Sequence, residues 1–222
     1  MNSSLTLIAA ILLGPIAILS TPAGEGNSRG APMPSSTMDL LQSRRYADAY
    51  PSVSKLASSG NQQAQFILAN YYICGRVVEF SCSRALALFK SATKPSSGDQ
   101  SAEIVRRSKN EIAWINAACE ESGFARDTNL AMKYAMEAAN QGDPYSIDSV
   151  AAVQARIGNF RAAVATQRDA IAGLTGYARD NPVDSYTIAE FHARLKRYES
   201  NQPSRFGKWN ADQNCNALPN GE

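Results

Sequence analysis

The chain contains a single histidine, His192, among 222 residues, and this scarcity argues against several kinds of active site. A metal site built from several histidines needs more ligands than the chain offers, and a Ser-His-Asp triad would have one histidine to draw on. Neither a glycine-rich phosphate loop nor an H-E-x-x-H zinc motif occurs. The sequence therefore predicts a non-catalytic protein with no cofactor and no metal.

An excess of charge of one sign is also missing. The 22 Lys+Arg residues nearly balance the 20 Asp+Glu residues, which leaves a net charge of +2, and no run of like charges breaks the pattern. Proteins that bind nucleic acid or an anionic membrane carry clustered basic residues. We therefore expect no nucleic-acid partner, and a membrane partner only if the N-terminal segment stays attached.

The longest apolar run lies at the N-terminus, from Leu5 to Leu19, and its one polar residue is Thr6. A bilayer span needs roughly 20 residues, whereas this run has the size of a secretory signal. Residues 1–23 are predicted to be a signal peptide, cleaved after Thr21-Pro22-Ala23, and the protein to be periplasmic or secreted. No Lys or Arg precedes the run, so an uncleaved anchor remains the alternative.

Alternating β-branched runs are absent from the rest of the chain, which is rich in alanine with helical periodicity. A leader, 24–37, is rich in Gly, Pro and Ser and is predicted to be disordered. A helical domain, 38–200, and an aperiodic tail, 201–222, follow. Glycine, proline and capping residues divide the domain into about eight helices. They are predicted at about 38–58 with a break or kink at Pro51, 61–74, 84–92 capped by Ser81 or Ser83, 101–119, 127–141, 144–158, 160–175, and 181–200 capped by Asn181.

Pairs of these helices recur at roughly 35 to 45 residues, the period of helical repeat arrays. Each pair carries an apolar stripe too wide to leave exposed, so pairs are expected to stack on one another. The predicted fold class is all-α, an α-solenoid of stacked antiparallel helix pairs.

One repeat-like pattern spans the second and third helices. Its residues are Ala64-Gln65, Leu68-Ala69, Tyr72, Gly75, Val77, Ala85 and Ala92. This pattern resembles a Sel-one-like repeat, a branch of the tetratricopeptide-type helix pairs. The chain departs from it in the connector, where Val77-Val78 replaces the usual glycine-valine and Ile73-Cys74-Gly75 replaces the usual Tyr-x-Gly.

A second pattern is similar to a diverged tetratricopeptide unit of bacterial proteins. It continues into a further unit and a closing helix, over Asn110, Ala113-Trp114, Ala117, Cys119, Arg126-Asp127, Ala131, Ala135, Asp148, Val150-Ala151, Gly158-Asn159-Phe160, Ala163-Val164, Gln167, Ala170-Ile171, Arg194-Leu195, Tyr198 and Arg205. Together the resemblance covers about residues 46–205. It implies a right-handed α-solenoid that binds a protein or peptide and has no chemistry of its own.

The four cysteines are even in number and can pair in an exported chain. Cys74 and Cys82 flank the connector of the Sel-one-like pattern, and cysteine-rich secreted members of that family carry cysteines about this far apart. A Cys74–Cys82 disulfide is therefore expected, with two unpaired thiols as the alternative. Cys119 and Cys215 either form a second bridge that pins the tail, or Cys119 is a small buried residue.

Three other groups of residues are candidate sites. Zinc favours closely spaced cysteine pairs, whereas the spacings here are 8, 37 and 96 residues (82−74, 119−82 and 215−119). The four cysteines are therefore not expected to form a zinc site. Glu120-Glu121 are adjacent and would not face each other on a helix, so they are interpreted as solvated loop charges. His192 is interpreted as a surface or interface residue.

The first helix of each pair lines the concave face of a solenoid. Asn70, Trp114 and Ala152 fall at equivalent places in three first helices, and Tyr72, Asn116 and Gln154 form a second such set. One set is expected to lean toward the groove. Phe206 and Trp209 in the tail are expected to fold into the groove or across an open end of the array.

These observations favour a non-catalytic interaction scaffold of the cell envelope or secreted space, which docks a protein or peptide on its concave face. A structural or assembly subunit of an envelope complex is one alternative. A cell-wall-acting envelope enzyme is the other, and it would need a cleft with convergent carboxylates.

Overall fold

The computed structural model describes residues 29–75, 77–98, 100–179, 183 and 185–208. Within these residues the protein is all-α, as predicted, and its helices are α1 (Ser35–Gln42), α2 (Tyr46–Ser58), α3 (Gln62–Cys74), α4 (Cys82–Ala92), α5 (Ser101–Ala118), α6 (Thr128–Ala139), α7 (Pro144–Arg156), α8 (Phe160–Tyr177) and α9 (Ser185–Glu199). The predicted signal peptide, and the predicted cap of the last helix at Asn181, lie outside the described residues.

Local side-chain hydrogen bonds start five of these helices. The Asn61 side chain accepts from the amide of Ala64 at 2.9 Å, and the Ser81 hydroxyl accepts from the amide of Arg84 at 3.2 Å. Asp127, Asp143 and Asn159 cap α6, α7 and α8 in the same way. At the other end of α3, Gly75 adopts φ +64°, which glycine allows without steric cost. The boundaries read from capping residues are therefore largely confirmed.

The first predicted helix is divided in two, and the break does not lie where it was predicted. Pro51 sits inside α2, so the break or kink expected at this proline is not the helix boundary. The chain instead turns at Ser43 to Arg45, where Arg44 adopts a left-handed φ of +61°. A non-glycine residue in this conformation is uncommon, and no glycine or proline marks the turn in the sequence.

Consecutive helices pack against each other from α1 to α9. In addition α5 packs against α7 and, less extensively, against α3. We call α3, α5 and α7 the first-helix row. The helices α4, α6 and α8 alternate with the members of this row along the chain, so each member packs against the helix that follows it.

Alanine makes up much of the core between these helices. The buried residues of α6 are Ala131, Ala135 and Ala138, and those of α7 include Ala151, Ala152 and Ala155. Side chains this small let helix backbones approach closely, while each still buries apolar surface at roughly 25 cal/mol per Å². Larger side chains, among them Phe66, Phe89, Ile112 and Ile115, fill the space between α3, α4 and α5.

The leader is ordered where the structure describes it, which differs from the prediction of disorder. The Arg29 guanidinium donates to the carbonyl of Ser91 at 3.1 Å, and the Asn61 amide donates to the carbonyl of Ala31 at 2.7 Å. Met33 is buried in the core of α1 to α3. These contacts tie residues 29–34 to the start of α3 and the end of α4, which composition alone does not reveal.

Candidate functional site: a strap over Trp114

The chain that leaves α9, residues 200–208, does not extend into solvent but lies across the ends of earlier helices. We call it the strap. The Tyr198 and Ser204 hydroxyls are 2.7 Å apart, and the Arg156 guanidinium at the end of α7 donates to the carbonyl of Ser204 at 2.9 Å. At the end of α5, the amide of Phe206 donates to the carbonyl of Ala118, and the amide of Glu120 donates to the carbonyl of Phe206, both at 2.8 Å.

These backbone hydrogen bonds place the Phe206 ring among aromatic side chains. The ring is buried, stacks on Trp114 of α5 with centroids 6.1 Å apart, and meets Phe80 edge to face at 6.2 Å. Aromatic pairs in such arrangements contribute about 0.5–1.5 kcal/mol beyond the apolar area that they bury. The expectation that Phe206 folds back onto the helices agrees with these contacts, and Trp209 lies outside the described residues.

A second contact reaches Trp114 from α9. The Arg194 guanidinium lies 5.1 Å from the centroid of the Trp114 ring, within the range of a cation–π interaction. The same guanidinium donates to Asp148 of α7 at 2.8 Å. Both side chains are largely buried, at 12% and 7% exposure. Arg194 therefore links three helices, α5, α7 and α9.

Burial and nearby charges shift the pKa of Arg194 in opposite directions. Burial disfavours its charged form, but Asp148, with further contributions from Tyr198 and Glu190, outweighs burial and raises the pKa of Arg194. Asp148 also accepts from the Gln167 amide at 2.7 Å. Two donors offset the desolvation penalty of this buried carboxylate. Removal of one partner lowers the stability of the fold, because it leaves a buried charge without compensation.

Asp148→Asn tests this buried pair. The amide keeps an oxygen that accepts from Arg194 and Gln167, but it removes the negative charge that compensates the guanidinium. Hydrogen bonds to charged groups contribute more than neutral ones, so we expect a loss of about 1–2 kcal/mol in the free energy of unfolding, measured with urea. Arg168→Ala, which breaks the exposed pair with Glu199, is the control and should cost less than about 0.5 kcal/mol. Equal losses would contradict the account.

One side of α5 presents a half-exposed ridge of charged and aromatic residues: Glu103, Arg107, Glu111 and Trp114. Their spacing of three to four residues places them on one face of the helix. The Arg107 guanidinium donates to Glu103 at 2.5 Å. Burial raises the pKa of Glu103, but hydrogen bonds from Arg106 and Arg107 outweigh it, so its pKa is lowered. The first residue of the ridge is therefore a paired carboxylate.

Glu111 behaves in the opposite way. Burial raises the pKa of Glu111 to about 7, although its contacts with Asn110 and Arg107 favour the charged form. Part of the side chain still meets solvent. A carboxyl of this kind holds its proton to near neutral pH, so the centre of the ridge changes charge close to physiological pH.

Glu111→Gln should therefore change stability in a pH-dependent way. Below the usual value of 4.5, Glu111 is protonated in both states and the substitution is nearly neutral. Between about 4.5 and 7 the unfolded chain loses its proton first, so rising pH destabilises the native protein. Above pH 7 we expect the variant to be more stable by up to about 3 kcal/mol, which is what a shift from 4.5 to about 7 corresponds to, and to melt several degrees higher.

Glu103→Gln is the matched control for Glu111→Gln, because the same helix carries both residues and the pKa of Glu103 is lowered instead. Its substitution should destabilise the protein above the usual pKa and lose its effect as the pH falls through the lowered value. Thermal unfolding of both variants at pH 4 and pH 8 shows whether each substitution raises or lowers the stability of the protein. The same sign for both variants at pH 8 would contradict the assignment.

The disulfide pairing differs from the one predicted. Cys82 is bonded to Cys119, with the two Cα atoms 6.6 Å apart, so the predicted Cys74–Cys82 bridge is wrong, and Cys119 is not available to Cys215. Both sulfurs lie in the core between α4 and α5. Cys74 is disulfide-bonded as well. The bridge therefore joins the start of one helix to the end of the next, and it does not staple the connector.

Three potential metal ligands meet at this disulfide: Cys82, Cys119 and Glu121. The two sulfurs are bonded to each other, so in this state they offer no thiolate to a metal. The Glu121 carboxylate accepts from the amide and the hydroxyl of Ser83, both at 2.8 Å. Glu121 thus caps the start of α4, which differs from the solvated charge that was predicted.

Its neighbour Glu120 is also a structural residue. The Glu120 carboxylate is approached by the guanidinium groups of Arg156 at 3.2 Å, Arg126 at 3.4 Å and Arg205 at 3.7 Å. Arg126 also donates to the carbonyls of Asn116 and Cys119, and Arg156 to that of Ala117. Cations are favourable at a helix C-terminus. This charge network therefore holds the strap, α5 and α7 together.

Neither predicted set of groove positions faces outward as a whole. In the first set, Asn70 and Ala152 are buried and Trp114 is half-buried beneath Phe206 and Arg194. In the second, Asn116 is buried, and Tyr72 and Gln154 are half-buried. His192 is exposed on α9.

Charge pairs between distant helices, such as Asp148 with Arg194, were not predicted, because they leave no periodic pattern in the sequence.

One formal match to the G-x-S-x-G nucleophile motif occurs at 26–30. That motif acts when its serine sits on a turn between a strand and a helix. Within the described residues the β-structure is an isolated bridge between Cys119 and Phe206, and Ser28 lies outside them. The match carries no argument for hydrolysis.

Among the helices that the structure describes, none is long and apolar enough to cross a membrane. No protein-family model matches the chain, and no curated protein or solved structure is significantly similar to it.

Proposed function

We propose that the protein is a non-catalytic interaction scaffold, a right-handed α-solenoid of Sel-one-like and tetratricopeptide-type helix pairs, exported to the cell envelope or secreted. The observation that carries the proposal is the half-exposed ridge of α5, defined above by Glu103, Arg107, Glu111 and Trp114. It lies on the central member of the first-helix row, the row that lines the binding groove of a helical solenoid.

The composition of the ridge suits a protein or peptide partner. It alternates a carboxylate, a guanidinium and a second carboxyl, and it ends at an indole. Such charged groups fix the register of a bound chain and select against wrong partners. Since Phe206 and Arg194 already cover Trp114, we place the docking surface on the portion from Glu103 to Glu111.

The disulfide supports the proposed location. Buried disulfides persist in oxidising compartments, such as the periplasm and the extracellular space, and are rare in the cytosol. The Cys82–Cys119 bridge lies between two helices of the stack, so it would be formed as the exported chain folds.

A photo-crosslinking amino acid at Arg107 tests the proposal, with the same group at Lys133 of α6 as the matched control. Lys133 is exposed and lies outside the first-helix row. We expect a partner from the envelope or secreted fraction of the host to crosslink at position 107 and not at 133. Arg107→Ala should then weaken binding of that purified partner about tenfold or more, and Lys133→Ala should leave it unchanged.

The other outcomes identify the alternatives. A partner captured at 133 and insensitive to Arg107→Ala would indicate an assembly subunit that binds through its other faces. Capture at neither position, while the protein stays folded, would overturn the scaffold proposal.

A further inference from the structure

The Cys82–Cys119 disulfide has a carboxylate beside it, and the three side chains together have the composition of a zinc site. The two sulfurs and one carboxylate oxygen of Glu121 all lie within 4.8 Å of one another. The sequence predicts no zinc site because Cys82 and Cys119 are 37 residues apart, but the fold brings them together. We propose that the reduced form of the protein binds one Zn²⁺ through the thiolates of Cys82 and Cys119 and the carboxylate of Glu121.

The distances between these ligand atoms suit a tetrahedral ion. Zinc binds thiolate sulfur at about 2.3 Å and carboxylate oxygen at about 2.0–2.2 Å, so its ligand atoms lie about 3.5–4 Å apart. The two Cα atoms are 6.6 Å apart, near the upper limit of about 6.8 Å for a disulfide. The backbone therefore leaves room for the sulfurs to separate around an ion once their bond is broken. A water molecule completes the four ligands.

Each of the three ligands has a neighbour that would hold it on the ion. The amide of Glu121 donates to the Cys119 sulfur at 3.3 Å. Cys82 is the first residue of α4, where the helix dipole favours negative charge. The amide and the hydroxyl of Ser83 donate to the Glu121 carboxylate, both at 2.8 Å. Partners of this kind orient metal ligands and increase the affinity of the site.

Charge and access also suit a divalent cation. The two thiolates and the carboxylate carry more negative charge than one Zn²⁺ neutralises, and the Arg126 guanidinium, which donates to the carbonyl of Cys119, offsets the excess. Both cysteines are buried, whereas Glu121 is half-buried and Ser83 is exposed. An ion can therefore reach the sulfurs from solvent past Glu121.

Zinc binding requires reduction of the disulfide, which a dithiol reductant accomplishes. One thiolate of the reductant attacks a sulfur of the bridge, and its second thiolate resolves the mixed disulfide. The reductant loses two electrons and two protons and becomes a disulfide, while Cys82 and Cys119 gain them and become thiols. These thiols then release two protons to solvent as the two Zn–S bonds form.

Zinc would thus replace the bridge as the link between the start of α4 and the end of α5. The inference concerns the reduced chain and does not depend on the proposed function.

Metal titration of the reduced full-length protein tests the proposal. A water-soluble phosphine reduces the disulfides without adding thiols, and Co²⁺ serves as the spectroscopic probe. We expect one Co²⁺ per chain to bind with a thiolate-to-cobalt charge-transfer band, and Zn²⁺ to displace it. Excess Zn²⁺ should also raise the melting temperature of the reduced protein by several degrees. Absence of the band, or a melting temperature that Zn²⁺ leaves unchanged, would overturn the proposal.

Two pairs of cysteine substitutions locate the bound metal. Cys74→Ser/Cys215→Ser removes the other two cysteines and should keep the charge-transfer band. Cys82→Ser/Cys119→Ser should lose it. If both double variants bind Co²⁺ equally well, the metal lies elsewhere and the proposal is wrong. The titration of the wild-type protein remains decisive where a variant fails to fold.

Glu121→Gln tests the third ligand, with Glu79→Gln as the matched control. Both substitutions remove one negative charge, but Glu79 is exposed and lies outside the ligand cluster. We expect Glu121→Gln to weaken Co²⁺ binding about tenfold or more, and Glu79→Gln to leave it unchanged. Equal affinities for the two variants would show that Glu121 does not bind the metal, which contradicts the proposed set of ligands.

Discussion

Phe206→Ala is expected to lower the free energy of unfolding by about 3–5 kcal/mol, which is the range for truncation of a fully buried phenylalanine. Phe206 is 2% exposed, it is the aromatic centre of the strap, and it packs against Trp114 and Phe80. The loss should be large because truncation leaves a cavity between Trp114 and Phe80 and removes the aromatic contacts that anchor the strap. Urea unfolding monitored by far-UV circular dichroism measures it.

Lys208→Ala is the control for Phe206→Ala, because Lys208 lies in the same strap but is exposed. It should change stability by less than about 0.5 kcal/mol. Phe206→Leu should recover part of the loss, since leucine refills much of the volume. An effect of Phe206→Ala no larger than that of Lys208→Ala would mean that the strap is not packed on Trp114.

Removal of the Cys82–Cys119 bridge should have an effect of similar size. The two cysteines are 37 residues apart, and the loss of loop-closure entropy for a loop of this length corresponds to about 4 kcal/mol in the chain-entropy treatment. The double variant Cys82→Ala/Cys119→Ala keeps small apolar groups at two fully buried positions, so little else changes. Thermal and urea unfolding under non-reducing conditions should show the loss.

Reductant provides the internal control for this variant. The wild-type protein should lose stability when it is reduced, and the double variant should lose about 4 kcal/mol less, because its Cys82–Cys119 bridge is already absent. A double variant as stable as the wild type under oxidising conditions would show that Cys82 and Cys119 do not form the bond.

Helix boundaries were predictable because they depend on neighbouring residues. Asn61, Ser81 and Asp127 each accept a hydrogen bond from an amide three residues later, and Gly75 ends α3 in a left-handed conformation. The break at Arg44 was not predictable, because no neighbouring residue marks it. Its left-handed φ occurs at the junction of α1 and α2, and the residues around it carry no turn signal.

The predicted cysteine pairing rested on the short connector between Cys74 and Cys82, whereas helix periodicity points to Cys82 and Cys119. Cys82 lies on the buried face of α4 together with Ala85, Phe89 and Ala92. Cys119 follows Ile112 and Ile115 at spacings of seven and four residues, in the same core cluster. Each cysteine thus extends an apolar stripe by one position. Two stripes that face each other bring their cysteines together, and this signal was present in the sequence.

The contacts of the ridge and the strap could not be predicted from the periodicity of the sequence. Trp114 was recognised as a candidate, but whether it meets a partner or the chain's own tail depends on where α9 and the strap run. The Arg194–Asp148 pair and the contacts of Arg156 with Ala117 and Ser204 join residues about 40 positions apart. Such contacts are fixed by the packing of helices, for which a single sequence offers no local pattern.

Amide hydrogen exchange at Phe206 and Glu120 is the most direct test of the claim that the strap is part of the folded protein. These two amides donate across the strap, to the carbonyls of Ala118 and Phe206. Resolved by NMR under native, oxidising conditions, both should exchange at least about 100-fold more slowly than an unstructured chain. Exchange of both amides at the unprotected rate, with α5 still protected, would show that the strap does not lie on the first-helix row.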